Sequence, residues 1–124
     1  MSDSNAKWNF GKNVCLKPQH FYQPESTNEL LTILDRHRDQ KIRAIGSLHA
    51  WSDAAQSSGV IIETQRLTKI QVDSKSKTVT VEGGCKVKHL LAKLAEHNLT
   101  LPSVGLIDEQ TVAGATSTLS LIHI

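Results

Sequence analysis

The sequence predicts an α+β fold in which a small parallel βαβ unit is joined to a mixed or antiparallel sheet. Two observations support this prediction. Between Phe21 and Ile45 an apolar segment, an amphipathic helix and a second apolar segment follow one another, and the strands of such a unit generally pair in parallel. Further along, two short segments alternate apolar and polar residues on either side of a polar turn, which is typical of a hairpin.

The length and composition are those of an ordinary globular domain. The 124 residues are 39% hydrophobic and 21% charged, which suits one domain with a modest core or a piece of one. A net charge of +2, without a basic run interleaved with aromatic residues, argues against a nucleic-acid partner. No signal-peptide core or membrane-length apolar stretch is found, and Cys15 and Cys85 form no C-x-x-C pair, so we expect a cytoplasmic protein with reduced thiols.

Local signals define the parallel unit. Residues 21–22 precede a proline and are expected to form a short edge strand. Ser26 and Glu29 make a capping-box pattern, and the apolar spacing that follows predicts an amphipathic helix over 27–39. A strand is then predicted from Lys41 to Ile45.

The second half of the chain is predicted to contain a hairpin and one more helix. Residues 60–63 form a short buried strand, and residues 70–72 and 78–81 form the hairpin around a polar turn. A second amphipathic helix begins at Val87 and ends near Asn98. Asparagine suits the left-handed backbone that often ends a helix.

Two segments rich in small residues follow extended stretches, and both are predicted to be loops: Ala44 to Ser52, and Ser103 to Thr118. Small residues let main-chain N–H groups point outward, and successive amides make a concave positive site for an anion. Gly46 can also adopt backbone angles that other residues avoid. On these residues alone, ordinary tight turns remain an open alternative.

The order of these features resembles the FAD-binding (PCMH-type) domain of the vanillyl-alcohol oxidase family. Within that family it is similar to sugar-1,4-lactone and alditol oxidases, such as the gulonolactone, arabinonolactone and xylitol oxidases. The likeness begins at KWNFGKN (7–13), similar to the family's W-x-N-W-x-x-N, and continues through PES, RAIGSLHAWSD and VEGGCKVKHLLAKLAEHNLTLPSVG to TVAGATST (111–118). Each motif is modest alone, and their order and spacing make the resemblance specific.

The resemblance implies that FAD is the cofactor and that both small-residue segments hold it. The first would carry the FAD pyrophosphate on its amides, and the second would close over the cofactor from the other side. Leu106 would lie near the flavin ring, and Gly114 would be small because main chain passes against the flavin. The residues implied to bind FAD are Ala44, Ile45, Gly46, Ser47, Leu48, His49, Ala50, Leu106, Thr111, Gly114, Ala115, Thr116 and Ser117.

The resemblance gives His49, the histidine of the G-x-x-H pattern, the most specific chemistry. In the sugar-oxidase branch this histidine is attached covalently to the 8α-methyl group of the flavin. That methyl becomes electrophilic when the ring loses a proton, and a neutral imidazole can attack it near pH 7. The alternative is a histidine that caps the turn or donates to a phosphate. Ala50 departs from the small polar residue usual in the family, and Trp51 is expected to pack over the loop.

Other titratable residues are interpreted as structural. Cys85 and His89 are four residues apart and could share one helix face, but two ligands without a third do not make a metal site, so no metal is predicted. His37 and His97 are predicted to be exposed near helix ends, where a positive charge is favourable. Arg43 is interpreted as a strand-edge arginine, with an approach to phosphate as the alternative.

The last six residues, Leu119 to Ile124, do not continue the family pattern, which proceeds with a Gly-Thr-His-Gly type of run. They resemble the in-frame translation of a transposase-end adapter used in DNA library preparation. The expected organisation is therefore a truncated domain: residues 1–118 are the N-terminal part of an FAD-binding domain, and residues 119–124 are a non-native tail. The substrate domain and the catalytic residues are expected to be absent from this chain, which alone should be inactive.

The implied function of the complete enzyme is oxidation of a CH–OH group in a sugar, alditol or aldonolactone, with oxygen or another acceptor. Its expected partner is this small-molecule substrate, without nucleic acid or an integral membrane segment. One alternative is a flavoenzyme of the same fold with noncovalent FAD, such as a lactate-type dehydrogenase or a cell-wall sugar reductase. The other is a non-catalytic nucleotide-binding or interaction module.

Overall fold

The computed structural model describes residues 7–50, 52–105 and 107–117, which fall into two compact units divided between Arg66 and Leu67. The expected α+β class is confirmed, with one parallel sheet and two antiparallel pairs of strands among the described residues. The predictions for Trp51, Leu106, Thr118 and the tail over 119–124 concern positions outside the described residues. No described helix has the length and apolarity needed to cross a membrane.

The first unit is built on a three-stranded parallel sheet. Its elements are β1 (Lys7–Trp8), β2 (Cys15–Leu16), β3 (His20–Tyr22), α1 (Thr27–Arg36), β4 (Ile42–Ile45), a 3₁₀ turn (Asp53–Ala55) and β5 (Val60–Glu63). The sheet has the order β3–β5–β4, and β1 and β2 form an antiparallel hairpin. The parallel pairing expected from the βαβ pattern is present, but β5 lies between the two strands that flank α1.

The central position of β5 follows from its composition. Its Val-Ile-Ile run is buried on both faces of the sheet, as is usual for strands of parallel sheets. Ile61 packs with Leu16 and Ile45 on one face. Val60 and Ile62 pack with Ile33 of α1 on the other face. The most apolar strand therefore lies in the most enclosed place.

Helix α1 begins as predicted and ends earlier than predicted. The Ser26 hydroxyl oxygen accepts a hydrogen bond from the Glu29 N–H at 3.2 Å, which confirms the cap. The helix ends at Arg36, three residues before the predicted end, because His37 leaves helical geometry with φ −115° and ψ 30°.

His37 is buried, and the prediction that it lies exposed at the helix end is wrong. Its side chain is 7% exposed. The Nε2 atom lies 2.8 Å from the Tyr22 hydroxyl, and the Nδ1 atom lies 3.0 Å from the Gln40 side-chain oxygen. Burial is tolerated because both ring nitrogens have partners inside the unit.

The second unit packs a helix on a hairpin. Its elements are β6 (Ile70–Asp73), β7 (Thr78–Val81), α2 (Val87–Ala95) and α3 (Val112–Ser117). The predicted hairpin is confirmed, with Ile70 opposite Val81 and Asp73 opposite Thr78. Leu90 and Leu94 of α2 supply the core of this unit, and apolar residues of the hairpin pack against them.

The end of α2 has the left-handed geometry expected at Asn98, whose φ is 56°. The N–H of Leu99 donates to the Leu94 carbonyl at 2.9 Å, and the N–H of Asn98 donates to the Ala95 carbonyl at 3.1 Å. This pair of bonds is the Schellman motif, and Leu99 packs against the cluster that contains Leu94.

The segment TVAGATST was predicted to be a loop, and this prediction is wrong because Val112–Ser117 is helical. Thr111 begins the helix: its hydroxyl oxygen accepts from the Gly114 N–H at 3.2 Å, and its carbonyl accepts from the Ala115 N–H at 2.9 Å. A threonine cap followed by alanines is enough to hold one short helix despite the glycine.

Candidate functional site

The first predicted cofactor segment is the end of β4 and the turn that follows it, residues 44–50. Ile45 is 4% exposed and faces the core. The left-handed backbone in this turn belongs to Leu48, with φ 59°, whereas no described glycine has a positive φ. Gly46 therefore does not supply the special backbone angles expected of it. A left-handed backbone is energetically unfavourable for a leucine. The Leu48 side chain packs against the core cluster that contains Ile45.

The carbonyl groups of this turn are held by donors from the rest of the unit. Four of them accept hydrogen bonds: Ile45 from the N–H and hydroxyl of Thr64 (both 3.1 Å), Gly46 from Gln65 Nε2 (2.9 Å), Leu48 from the Phe10 N–H (2.6 Å) and Ala50 from Asn9 Nδ2 (2.8 Å). The negative ends of these peptide dipoles are therefore directed at the protein.

Four of the amide groups in the same turn have no hydrogen-bond acceptor among the described residues. Within the described part of the chain, the N–H groups of Gly46, Leu48, His49 and Ala50 donate no hydrogen bond. The protein already donates hydrogen bonds to the carbonyls of the turn, whereas these four N–H groups have no acceptor. The turn therefore has a local excess of hydrogen-bond donors. Such a set of successive amides suits an anion such as a pyrophosphate.

Asn9 holds this turn in place, although the sequence interpretation gave it no role. Its side chain is 6% exposed. The Nδ2 group donates to the carbonyl of Ala50 and to Asn13 Oδ1, and Oδ1 accepts from the N–H groups of Asn13 and Val14, both at 3.1 Å. The pair of asparagines four residues apart in KWNFGKN was the available sequence signal.

His49 lies near the end of the turn, and its imidazole is stacked on the Phe10 ring. The ring centroids are 4.7 Å apart and the planes are inclined by 10°. Neither ring nitrogen of His49 has a hydrogen-bond partner among the described residues. Because the lone pair of an imidazole nitrogen lies in the ring plane, stacking covers a face of the ring and leaves that lone pair available for chemistry.

The second predicted segment belongs to the other unit and is described by itself. The side chains of Thr111 and Ala115 are each 3% exposed, and the Thr116 hydroxyl bonds to the carbonyls of Val112 and Ala113 within its own helix. Of the predicted residues here, Gly114, Thr116 and Ser117 are exposed. Any ligand contact made by Thr111 or Ala115 would therefore use the main chain.

Gly114 and Gly83 both have local reasons to be glycine. A Cβ on Gly114 would lie 3.1 Å from the Thr111 hydroxyl oxygen, and one on Gly83 would lie 3.0 Å from the Ala113 Cβ. The Ala113 N–H donates to the Gly83 carbonyl at 3.0 Å, so the start of α3 lies against residue 83.

Among the residues that the structure describes, charged and metal-ligating groups do not add a further site. Glu109 accepts hydrogen bonds from Lys88 and Lys86, and these hold the pKa of its carboxyl below the ordinary value. Cys85 is 1% exposed, and burial raises the pKa of its thiol, whereas His89 is exposed. The two residues that could share one helix face therefore do not, because Cys85 precedes the first residue of α2 and is buried while His89 is exposed. The described residues contain no group of three or more potential metal ligands.

A small parallel sheet that leads into an amide-rich turn is typical of domains that bind the phosphates of a nucleotide cofactor. Residues 18–121 match the family described as FAD binding domain. The chain belongs to this family, which confirms the resemblance, and its cofactor is FAD. The turn over 44–50 fits this cofactor because it offers amide donors to an anionic group.

Curated relatives and solved structures extend the match. The chain is 46% identical over 120 residues to a long-chain alcohol oxidase from an uncultured marine euryarchaeote, an alignment that covers 95% of this chain and 25% of that protein. It is 37% identical over 111 residues to an L-gulono-1,4-lactone dehydrogenase from Mycobacterium tuberculosis, covering 87% and 26%. The cholesterol oxidase from B. sterolicum has the same fold, with a TM-score of 0.77 at 20% identity, covering 89% and 22%. The chain thus spans about a quarter of the length of these curated relatives.

Proposed function

We propose that this chain is the FAD-binding portion of an oxidoreductase acting on a CH–OH group, and that residues 44–50 bind the FAD pyrophosphate. One observation carries the assignment of the turn: the protein engages its carbonyls, and the amides of Gly46, Leu48, His49 and Ala50 have no described acceptor. A pyrophosphate supplies the missing acceptors. Ala44, Ile45 and Ser47 contribute main chain to the same turn.

The second part of the proposal is that residues 111–117 also bind FAD, with Thr111 and Ala115 acting through the main chain. Their side chains are buried within their own unit. Gly114, Thr116 and Ser117 present exposed surface that a cofactor can approach. Leu106, proposed to lie near the flavin ring, is outside the described residues.

His49 is proposed to form a covalent bond to the 8α-methyl carbon of the flavin. A neutral imidazole nitrogen supplies the electron pair for the new C–N bond. The methyl carbon and the imidazole each give up one proton, and two electrons pass to an acceptor such as dioxygen, which becomes hydrogen peroxide. The free ring nitrogens of His49 and its stacked orientation support this role.

When bound, FAD accepts the hydride from the carbon that carries the hydroxyl group. Two substrate classes have support. The relative that is 37% identical acts on an aldonolactone, which agrees with the resemblance to sugar-lactone and alditol oxidases. The relative that is 46% identical is a long-chain alcohol oxidase. Because both matches cover about a quarter of those proteins, we propose that the groups that select substrate and accept its hydroxyl proton lie in the remaining three quarters.

The covalent bond is tested in the longest open reading frame that contains this chain. The purified protein is precipitated with acid, and the flavin retained by the pellet is measured by absorbance and by the mass of the flavinylated peptide. We expect the parent to retain flavin and His49→Ala to release it. His89→Ala, which changes an exposed histidine elsewhere in the chain, is the matched control and should retain flavin.

The outcomes separate the parts of the proposal. Flavin bound before acid and released from both parent and His49→Ala would leave FAD binding intact and overturn the covalent bond. Protein that binds no flavin under native conditions would overturn the assignment of the turn. Dioxygen uptake by the holoprotein with an aldonolactone and with a long-chain alcohol then tells which substrate class it oxidises.

A further inference from the structure

We propose that Asn9 and Phe10 form a clamp that positions His49 for bond formation with the flavin; this rests on the covalent attachment proposed above. The clamp consists of the Asn9 side chain, the Phe10 main-chain N–H and the Phe10 ring. Both residues are positioning residues, because neither supplies an atom to the new bond.

The clamp holds the main chain on both sides of His49. The Phe10 N–H donates to the carbonyl of Leu48 at 2.6 Å. The Asn9 Nδ2 group donates to the carbonyl of Ala50 at 2.8 Å. Two adjacent residues thus grip the residues immediately before and after the histidine, and this limits rotation of the segment that carries its side chain.

The Asn9 carboxamide can be held in only one orientation by its partners. Its Nδ2 group donates to Ala50 and Asn13, and its Oδ1 atom accepts from the N–H groups of Asn13 and Val14. A carboxamide has two donor hydrogens and an oxygen with two lone pairs, so all of its hydrogen-bonding capacity is used. An aspartate has the same shape but lacks the two donors, so it cannot hold the Ala50 carbonyl.

The Phe10 ring orients the imidazole directly. The near-parallel contact at 4.7 Å fixes the plane of the imidazole, and the in-plane lone pair of its unprotonated nitrogen remains uncovered. Reactions between groups held in a productive orientation are faster because less rotational freedom is lost in reaching the transition state. The ring therefore acts on the rate at which the bond forms more than on the affinity for FAD, which the amides of the turn provide.

The test follows flavin attachment in apoprotein prepared without FAD from the complete reading frame. After FAD addition, acid-stable flavin is measured over time, and the dissociation constant of FAD is measured separately before attachment proceeds. Phe10→Leu is the main variant, since the ring is 60% exposed and its removal should leave the fold intact. Trp8→Leu is the matched control: Trp8 is 57% exposed, and no described contact joins it to residues 44–50.

We expect Phe10→Leu to slow attachment by about tenfold or more while the FAD dissociation constant changes by less than about threefold. Phe10→Trp, which restores an aromatic face, should recover most of the parent rate, and Trp8→Leu should match the parent. Asn9→Asp should also slow attachment, because the Ala50 carbonyl then faces a carboxylate in place of a donor. A spectroscopic readout accompanies the rates: loss of the Phe10 ring should remove the upfield ring-current shift of the His49 imidazole protons.

Two contrary results have different meanings. Attachment by Phe10→Leu at the parent rate would overturn the clamp while leaving the covalent bond in place. A parent protein that binds FAD but never acquires acid-stable flavin would overturn the covalent bond and the clamp with it.

Discussion

Gly59 lies at the entrance to β5 in a place where no side chain fits. A Cβ there would lie 2.7 Å from the carbonyl oxygen of Lys41, closer than a Cβ atom approaches an oxygen in folded proteins. That oxygen also accepts from the Val60 N–H and from the Ser57 hydroxyl. It therefore cannot retreat without loss of two hydrogen bonds that join β5 to the start of β4.

We predict that Gly59→Ala lowers the free energy of unfolding by about 1–3 kcal/mol, because backbone must move to make room for the methyl group. The measurement is chemical denaturation followed by circular dichroism. Ser58→Ala, at the exposed neighbouring position, should stay within about 0.5 kcal/mol of the parent. If Gly59→Ala were as stable as the parent, the backbone before β5 could move to make room for the methyl group, and the prediction would be wrong.

The constraint at Gly59 is a lack of space for a side chain, whereas the strain at Leu48 lies in its backbone angle. Its φ of 59° is uncommon for a residue with a side chain, and it occurs in the turn proposed to bind the pyrophosphate. Packing of the Leu48 side chain against the core and the bond from Phe10 to its carbonyl accompany this conformation. The core thus helps to hold the turn in a conformation in which the amides of Gly46, Leu48, His49 and Ala50 have no described acceptor.

Among the secondary-structure elements, the ends of the helices show how local chemistry sets boundaries. Helix α1 begins where Ser26 offers an oxygen to an N–H of the first turn. Helix α2 is followed by Asn98, whose left-handed backbone directs the next N–H groups back to the last carbonyls. Both ends satisfy main-chain groups that a helix cannot pair internally.

We predict that Asn98→Ala lowers the free energy of unfolding by about 1 kcal/mol, because a Cβ disfavours the left-handed backbone that asparagine tolerates. Asn98→Gly should equal or exceed the parent in stability, since glycine carries no such penalty. Urea denaturation of the three proteins checks the order. If Asn98→Gly lost as much stability as Asn98→Ala, the stabilisation would come from the asparagine side chain and the backbone angle would not explain it.

For the whole molecule, two carboxyls link stability to pH. Hydrogen bonds from Ser76 and from the Lys75 N–H lower the pKa of Asp73, and hydrogen bonds from Lys88 and Lys86 lower the pKa of Glu109. A lowered pKa in the folded state means that the unfolded chain binds more protons as the pH falls. The stabilisation is therefore complete above the unfolded pKa values and is lost as the pH falls through the folded ones.

We predict that the free energy of unfolding of the parent decreases as the pH is lowered beneath about 5. The double variant Asp73→Asn, Glu109→Gln should lose part of this pH dependence. The parent should be the more stable at pH 7, and the two proteins should converge as the pH falls. Urea denaturation at a series of pH values measures this. Asp39→Asn removes an exposed charge with no described partner, and its free energy of unfolding should depend on pH as that of the parent does. A difference in free energy between parent and double variant that stays the same at every pH would contradict the prediction.

The sequence by itself determined the features that depend on residues a few positions apart. The cap at Ser26, the hairpin over 70–81, the left-handed end at Asn98 and the parallel direction of the two strands that flank α1 follow from neighbouring residues, and the sequence predicts them. The order of motifs also identified the family and the turn over 44–50. Local patterns suffice here because helix caps, turns and alternating faces are formed by contacts within the segment itself.

Only the tertiary structure decided the contacts between distant segments. It inserted β5 between the two strands that flank α1, buried His37 against Tyr22, and brought the Asn9 side chain to Ala50, 41 positions away. It also paired Thr111, the residue that caps α3, with Lys86, 25 positions earlier in the chain. Such contacts depend on which surfaces pack together after the chain folds back on itself. The spacing of residues along the sequence does not determine which surfaces these are.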